Sequence, residues 1–183
     1  MLLGGPFNQL DNSNDARLKL LCVPYNSSLE INDVGSAAPE LLSFLTSDGF
    51  KTLHAVLYCP DPVIYGPGPF PLICAVYGCP HVQQVNRSWC QSVDMRVQRL
   101  CSLGFALVKC DNRGSARRGL AFEGAIKKRL GSFEALDQVT AVRHLAMKGI
   151  ADLKRVGIYG WSYGGYLAAM LLMSFIQQLQ ELQ

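Results

Sequence analysis

Three short, almost wholly apolar runs are the strongest constraint on the fold. They read LICAVYG, FALVKC and RVGIYG, and the segments between them carry apolar residues at steps of three or four. Apolar runs of this length predict strands buried on both faces. Apolar residues spaced three or four apart, as in the segments between the runs, predict amphipathic helices. Strands that alternate with helices form a parallel sheet covered by helices. The sequence therefore predicts an α/β protein with a mostly parallel sheet and helices on both faces.

Two helices are predicted within this alternation. Apolar residues that recur over residues 89–101 predict the first helix, with Trp89 on its buried face and Gly104 at its end. Ser132 is predicted to cap the second helix, whose positively polarised start carries Glu134 and Asp137.

An antiparallel hairpin is predicted to precede the parallel strands. The segments LLSFLTS and KTLHAVLYC flank Asp48 and Gly49, a pair that is typical of tight turns. Residues 60–71 are rich in proline and glycine, so a loop is expected there.

The composition excludes several classes of protein. Apolar residues make up 49% and charged residues 17% of the 183, and the net charge of +3 comes from scattered Lys and Arg. We therefore expect a globular protein without a nucleic-acid partner. The seven cysteines include no Cys-x-x-Cys pair, which indicates free, mostly buried thiols and a reducing compartment. No segment is typical of a signal peptide or a membrane span, so a cytoplasmic protein without a membrane partner is expected.

Residues 160–164 read Gly-Trp-Ser-Tyr-Gly, the Gly-x-Ser-x-Gly pattern of a serine nucleophile. A buried strand is predicted before this motif, and a helix is predicted from Gly164 onward. Such a turn exposes the serine oxygen and aims the helix amino terminus at an oxyanion. The alternative is a glycine-rich turn that cradles a phosphate, but Gly-x-Gly-x-x-Gly spacing and a Walker lysine are both missing. Ser162 is therefore the predicted nucleophile, and no cofactor or metal is predicted.

The groups that would activate Ser162 do not follow it in the sequence. Hydrolases of the α/β class place the acid and then the histidine after the serine. In this sequence no histidine follows Ser162, and Glu181 is the only acid that does. A helix that starts at Ser162 would place Glu181 roughly 25 Å from the serine. His54 and His144 are interpreted as structural, and His81 is the histidine near enough to test as a substitute base.

Four motifs resemble the prolyl oligopeptidase family of serine peptidases. They read GWSYGGY, DNRGS, RRGLAFEGAIKKRLGSFEALDQV and AVYGCPHVQ. Within that family the chain is most similar to the dipeptidyl peptidase branch, in particular its cytosolic members. The resemblance implies the amino-terminal half of an α/β-hydrolase catalytic domain. It also implies release of amino-terminal dipeptides from peptides with proline or alanine at the second position.

The resemblance also implies roles for single residues. Ser162 matches the nucleophile, the N–H of Tyr163 matches an oxyanion donor, and the Tyr163 ring matches a wall of the proline pocket. Tyr77 matches the tyrosine whose hydroxyl is the second oxyanion donor, whereas the residues alone favour packing of its ring on the sheet. Members of the family usually have Gly-Gly-Pro after that tyrosine, and this chain has Cys79 in place of the second glycine. The Cys79 side chain either presses on this loop or is a tolerated substitution.

The same resemblance divides the chain into three parts. Residues 1–38 are an irregular segment that corresponds to the link to a β-propeller, 39–173 correspond to part of the catalytic domain, and 174–183 are a divergent Gln-rich tail. The family's catalytic acid and histidine have no counterpart, because Asp111 and Asp137 match other loop and helix positions. We therefore expect the 183 residues to be inactive alone.

Two alternatives follow from this incomplete set of residues. One is a non-catalytic fragment or isoform that forms a homodimer or heterodimer with a full-length homologue. The strand before Ser162 would then supply an exposed edge for pairing. The other alternative is an α/β-hydrolase of different specificity, such as an esterase, that borrows a base.

Overall fold

The structure is a computed structural model that describes residues 37–92 and 94–180. Most of the segment predicted over residues 1–38 lies outside the described residues. The strands are β1 (Glu40–Leu45), β2 (Thr52–Tyr58), β3 (Phe70–Ala75), β4 (Ala106–Asp111) and β5 (Ala151–Tyr159). The helices are α1 (Pro62–Tyr65), α2 (Trp89–Ser92), α3 (Met95–Cys101), α4 (Leu120–Glu123), α5 (Ser132–Met147) and α6 (Tyr163–Gln180).

The strands form one five-stranded sheet in the order β1-β2-β4-β3-β5. β3 pairs in parallel with both β4 and β5. β1 and β2 form the predicted hairpin around Asp48 and Gly49, and β2 joins the sheet by antiparallel pairing with β4. The predicted α/β class and its mostly parallel sheet are therefore confirmed. β5 lies at one edge of the sheet that the described residues form.

Apolar side chains cover both faces of the sheet. On one face, strand residues such as Leu72 pack with Val142 of α5 and Leu167 of α6. On the other face, strand residues such as Leu107 pack with Val97 of α3. Successive side chains of a strand point to opposite faces, so a strand covered on both sides is apolar throughout. This packing explains the runs LICAVYG and FALVKC. The prediction of a buried strand at RVGIYG was wrong, because β5 lies at an edge of the described sheet and its residues 152–159 are only half-buried or exposed.

The helix predicted over residues 89–101 is in fact two helices. The Asp94 carboxylate accepts the backbone N–H groups of Arg96 at 3.1 Å and Val97 at 3.3 Å, and so caps α3. An aspartate in this position starts a new helix instead of continuing the previous one. Trp89, predicted on the buried face, is exposed in the short helix α2, whose buried side chain is Gln91.

The start of α5 also differs from the prediction. Ser132 is the first residue of the helix, and Gly131 before it adopts φ +87°. The Glu134 carboxylate accepts the N–H of Gly131 at 3.0 Å. The capping contact therefore comes from Glu134 and not from Ser132, as in one half of a capping box.

A buried arginine joins three parts of the fold. The Arg113 guanidinium, in the loop after β4, donates to Asp137 of α5 at 2.6 Å and to Asp48 of the hairpin turn at 2.7 Å. Its backbone N–H also donates to Asp137 at 2.8 Å. Asp137 and Arg113 are both buried, so this ion pair is shielded from water. The hairpin turn, the loop and α5 are thereby held by one cation.

The described cysteines only partly fit the expectation of buried thiols. All are free; Cys74, Cys101 and Cys110 are buried, Cys59 and Cys79 are half-buried, and Cys90 is exposed. Burial raises the pKa of the Cys74 thiol to about 12, so it stays protonated and acts as a small apolar side chain. Among the described helices, none combines the length and the apolar character that crossing a membrane requires.

Candidate active site

Ser162 lies at the turn between the carboxyl end of β5 and the amino end of α6. It is exposed, and its backbone adopts φ +53°, a left-handed conformation that is uncommon outside glycine. The carbonyl of Ser162 accepts the N–H of Gly165 at 2.9 Å in the first turn of α6. The Ser162 hydroxyl has no hydrogen-bond partner within residues 37–92 and 94–180. This strained strand-to-helix turn has the geometry of a nucleophile elbow.

The glycines that flank Ser162 have a steric reason. A Cβ added to Gly160 would lie 2.6 Å from the carbonyl oxygen of Val76, just after β3. A Cβ on Gly164 would collide with the same oxygen and would lie 3.0 Å from Cα of Tyr77. Contacts this short with backbone atoms cannot be relieved by rotating a side chain. The elbow therefore packs directly against the segment that follows β3.

Tyr77 is brought to the elbow by this close approach. The N–H of Val76 donates to the carbonyl of Tyr159 at 2.9 Å, which anchors the segment to the end of β5. Gly78 follows with φ +66°, and an added Cβ there would meet Asn112 Oδ1 at 3.0 Å and the Leu167 side chain. Tyr77 is half-buried, and its hydroxyl has no hydrogen-bond partner among the residues described.

Tyr163 is held by a residue that lay outside the predicted site. Its hydroxyl donates to Oε1 of Glu134 at 2.8 Å, and Glu134 is fully buried at the start of α5. Burial and this hydrogen bond raise the pKa of the Tyr163 phenol well above its usual range. The sequence placed Glu134 at the helix start, but carried no signal that its carboxylate reaches α6.

The three histidines have partners other than Ser162. The Nδ1 atom of His81 lies 2.9 Å from Oε2 of Glu123, and the backbone N–H of His81 donates to the carbonyl of Gly114 at 3.1 Å. His54 shares a hydrogen bond of 2.8 Å with Ser43 across the hairpin. The ring of His144 stacks on Phe44, with 4.5 Å between centroids. Burial lowers the pKa of both His54 and His144, which favours neutral rings.

Asp111 supports the loop that continues from Tyr77. Its carboxylate accepts the backbone N–H groups of Gln84 at 2.7 Å and Val85 at 3.1 Å. Burial raises the pKa of Asp111 from 3.8 to about 6, although the two N–H donors oppose this shift. The carboxylate therefore ties the end of β4 to the loop between β3 and α2.

Asp111→Asn is expected to remove a pH dependence of stability. The folded state binds the Asp111 proton more tightly than the unfolded chain, since its folded pKa of about 6 exceeds 3.8. The contribution of Asp111 to the free energy of unfolding therefore falls by on the order of 2–3 kcal/mol as pH rises from about 4 to 6. Outside that window its contribution does not change with pH. Urea unfolding at pH 4 and pH 7 measures this change. Asp61→Asn, at the exposed start of α1 where asparagine can keep the cap, is the control. An unchanged pH dependence in Asp111→Asn would contradict the assignment.

Comparison with known proteins finds extended similarity. Residues 91–178 match the prolyl oligopeptidase family. Human dipeptidyl peptidase 8 is 46% identical over 136 residues, which cover 74% of this chain and 15% of the human protein. Dipeptidyl peptidase 4 of Trichophyton equinum is 31% identical over 170 residues, which cover 91% of this chain and 22% of the fungal protein. A solved structure of a Bacteroides ovatus protein assigned as dipeptidyl aminopeptidase IV has a TM-score of 0.71 and 34% identity, covering 78% of this chain and 20% of that one.

The fold and the serine turn define a class of protein. Parallel strands covered on both faces, with a strained serine between β5 and α6, are the features of the α/β-hydrolase fold. Together with the similarities in sequence and structure, they show that the chain belongs to the prolyl oligopeptidase family. The chain spans 15% of the human relative and 22% of the fungal relative.

Proposed function

We propose that the chain carries the nucleophile and oxyanion part of a serine peptidase site that releases amino-terminal dipeptides. The observation that carries this proposal is Ser162, an exposed residue at φ +53° in a turn that only glycine neighbours permit. Similarity to dipeptidyl peptidases supports peptides with proline or alanine at the second position as the substrate class. The free thiols support a reducing, cytoplasmic location.

The proposed reaction is acyl transfer through Ser162. The Oγ atom would bond to the carbonyl carbon of the peptide bond while its proton passes to solvent, and the π electrons of the C=O bond would move to the oxygen as an oxyanion. Collapse of this intermediate would break the C–N bond, and the shortened peptide would leave as an amine that takes up a proton. Water would then hydrolyse the dipeptidyl ester on Ser162. The backbone N–H of Tyr163, at the amino end of α6, is one proposed donor to that oxygen. The Tyr77 hydroxyl is the other, supported by its lack of a partner in the described part of the chain and by the close packing of Tyr77 against the elbow. Each such donor typically contributes about 3–4 kcal/mol of transition-state stabilisation.

Within residues 37–92 and 94–180, no acid or histidine is hydrogen-bonded to the Ser162 hydroxyl. No histidine follows Ser162 in the sequence, and Glu181 is the one acid that does. His81, the candidate substitute, lies against Glu123. We therefore propose that these 183 residues alone have only the slow residual reactivity that oxyanion donors supply without a base.

The position of β5 favours a second candidate function, that of a pairing module. β5 has nine residues and is the last strand in the sheet order, so one of its sides is open in the described structure. Leu153 on this strand and Leu172 and Met173 on α6 are exposed apolar side chains. An open strand edge with apolar neighbours suits pairing with a second copy or a full-length homologue. Lys154 and Arg155 are exposed on the same strand and oppose indiscriminate pairing.

One labelling experiment tests the proposal and separates the two candidates. The purified chain is treated with a fluorophosphonate, and the modified residue is located by peptide mass spectrometry. We expect slow modification at Ser162, absent from Ser162→Ala and slowed by an excess of an X-Pro dipeptide. Modification spread over many serines would contradict the proposed site. A stable dimer in sedimentation, with no modification of Ser162, would instead favour the pairing module.

A further inference from the structure

We propose that Glu134 is a positioning residue that holds Tyr163 and, through it, the oxyanion donor and the pocket wall. This inference rests on the proposed function of Tyr163. Glu134 is fully buried in the first turn of α5. Its Oε1 atom accepts the Tyr163 hydroxyl at 2.8 Å, and its Oε2 atom accepts the N–H of Gly131 at 3.0 Å.

Hydrogen bonds satisfy the buried side-chain oxygens of Glu134. A buried charge is costly unless hydrogen bonds or opposite charges satisfy it. Each oxygen of Glu134 has one donor, and the amino end of α5 adds a favourable electrostatic field. A phenol that donates to a carboxylate forms a charge-assisted hydrogen bond, which is shorter and stronger than a neutral one. Glu134 is therefore a firm anchor for the Tyr163 hydroxyl.

Tyr163 is consequently fixed at both of its ends. Its backbone directly follows Ser162 in the elbow. Its hydroxyl is bound by Glu134, which lies 29 positions earlier in the chain. A ring fixed in this way presents the same surface to any group that enters the site, and the backbone N–H keeps its direction. Glu134 does not touch the reacting atoms, so its contribution acts through Tyr163.

Tyr166 provides a matched control one helical turn further along α6. Its hydroxyl also reaches back to the start of α5, donating to the carbonyl of Leu130 at 3.2 Å. Its ring meets the Tyr163 ring edge-on, with 5.4 Å between centroids. Tyr166 thus resembles Tyr163 in type and helix, but its hydroxyl binds a neutral carbonyl. Its contact with Ser162 is a backbone hydrogen bond of 3.3 Å, which Tyr166→Phe leaves in place.

Glu134→Gln and Tyr163→Phe are expected to loosen Tyr163. Glutamine offers one side-chain oxygen where two donors must be satisfied, and phenylalanine removes the hydroxyl. We expect Ser162 labelling to slow about ten- to a hundredfold in both variants, because misplaced groups lose much of their effect. The preference for a prolyl diphenyl phosphonate over ethyl fluorophosphonate should fall as well. Tyr166→Phe should change neither the rate nor the preference by more than about twofold.

The test combines these labelling rates with ¹⁵N relaxation of the folded chain. The order parameter of the Tyr163 amide should fall in Glu134→Gln and in Tyr163→Phe and stay at the wild-type value in Tyr166→Phe. Unchanged order parameters in Glu134→Gln would overturn the inference, as would equal effects in all three variants. If wild-type Ser162 is not labelled at all, the proposed function fails. The order parameters then still decide whether Glu134 positions Tyr163.

Discussion

Gly164→Ala is expected to abolish labelling of Ser162 and to destabilise the fold by about 2–3 kcal/mol. The added methyl group would collide with the carbonyl oxygen of Val76 and would meet Cα of Tyr77 at 3.0 Å. Both are backbone atoms, so either the elbow or the segment after β3 must move. Because the elbow sets the direction of Ser162 and of the Tyr163 N–H, either movement separates the nucleophile from the oxyanion donors.

Gly165→Ala is the matched control for this prediction. A Cβ at Gly165 would lie at an ordinary distance of 3.6 Å from the carbonyl oxygen of Gly160. Alanine is favoured over glycine inside a helix, so this variant should be as stable as wild type or more stable by up to about 1 kcal/mol. Intact-mass labelling and urea unfolding measure both effects. Equal labelling of the two variants would show that close packing does not define the elbow.

Arg113→Met is expected to lower the free energy of unfolding by about 3–5 kcal/mol. Methionine fills much of the same space but leaves the fully buried Asp137 carboxylate without its cationic partner. Burial already raises the pKa of Asp137, and loss of the cation raises it further. A buried aspartate whose pKa is raised lowers the free energy of unfolding as pH rises, because it must ionise without a partner. The loss of unfolding free energy in Arg113→Met should therefore be smaller at pH 5 than at pH 8.

Two further variants separate the ion pair from general disruption. Arg155→Met removes the exposed pair with Asp152 and should cost less than about 1 kcal/mol. Adding Asp137→Leu to Arg113→Met removes the unpaired charge and should recover part of the stability. Chemical unfolding at both pH values tests all three. A pH-independent deficit, without recovery in the double variant, would contradict this account of Arg113.

The local sequence is sufficient for most of the fold. Each apolar run became a strand, although helices cover both faces only at β3 and β4, and β5 is largely half-buried or exposed. Asp48 and Gly49 formed the expected hairpin turn. The single helix predicted over 89–101 was wrong because Asp94 caps a second helix inside the apolar pattern. Hydrophobic periodicity does not show where a side chain will compete for backbone N–H groups.

The candidate site was predictable only where its residues are neighbours in sequence. The turn around Ser162 follows from glycine spacing between a strand and a helix. Glu134 and Asp137 were expected as charges near a helix start, yet both are buried. Their partners, Tyr163 and Arg113, come from other parts of the chain. Such pairs depend on tertiary packing, which spacing within one segment does not reveal.

The pH dependence of Ser162 labelling tests the central claim most directly. The claim is that an elbow presents Ser162 beside oxyanion donors, without a base among these 183 residues. It predicts slow modification, selective for Ser162, with a rate that rises about tenfold per pH unit from pH 6 to 9, because only the small alkoxide fraction reacts. A fast, stoichiometric reaction that reaches a plateau above a midpoint near pH 6–7 would contradict it, because the chain would then contain a titrating base.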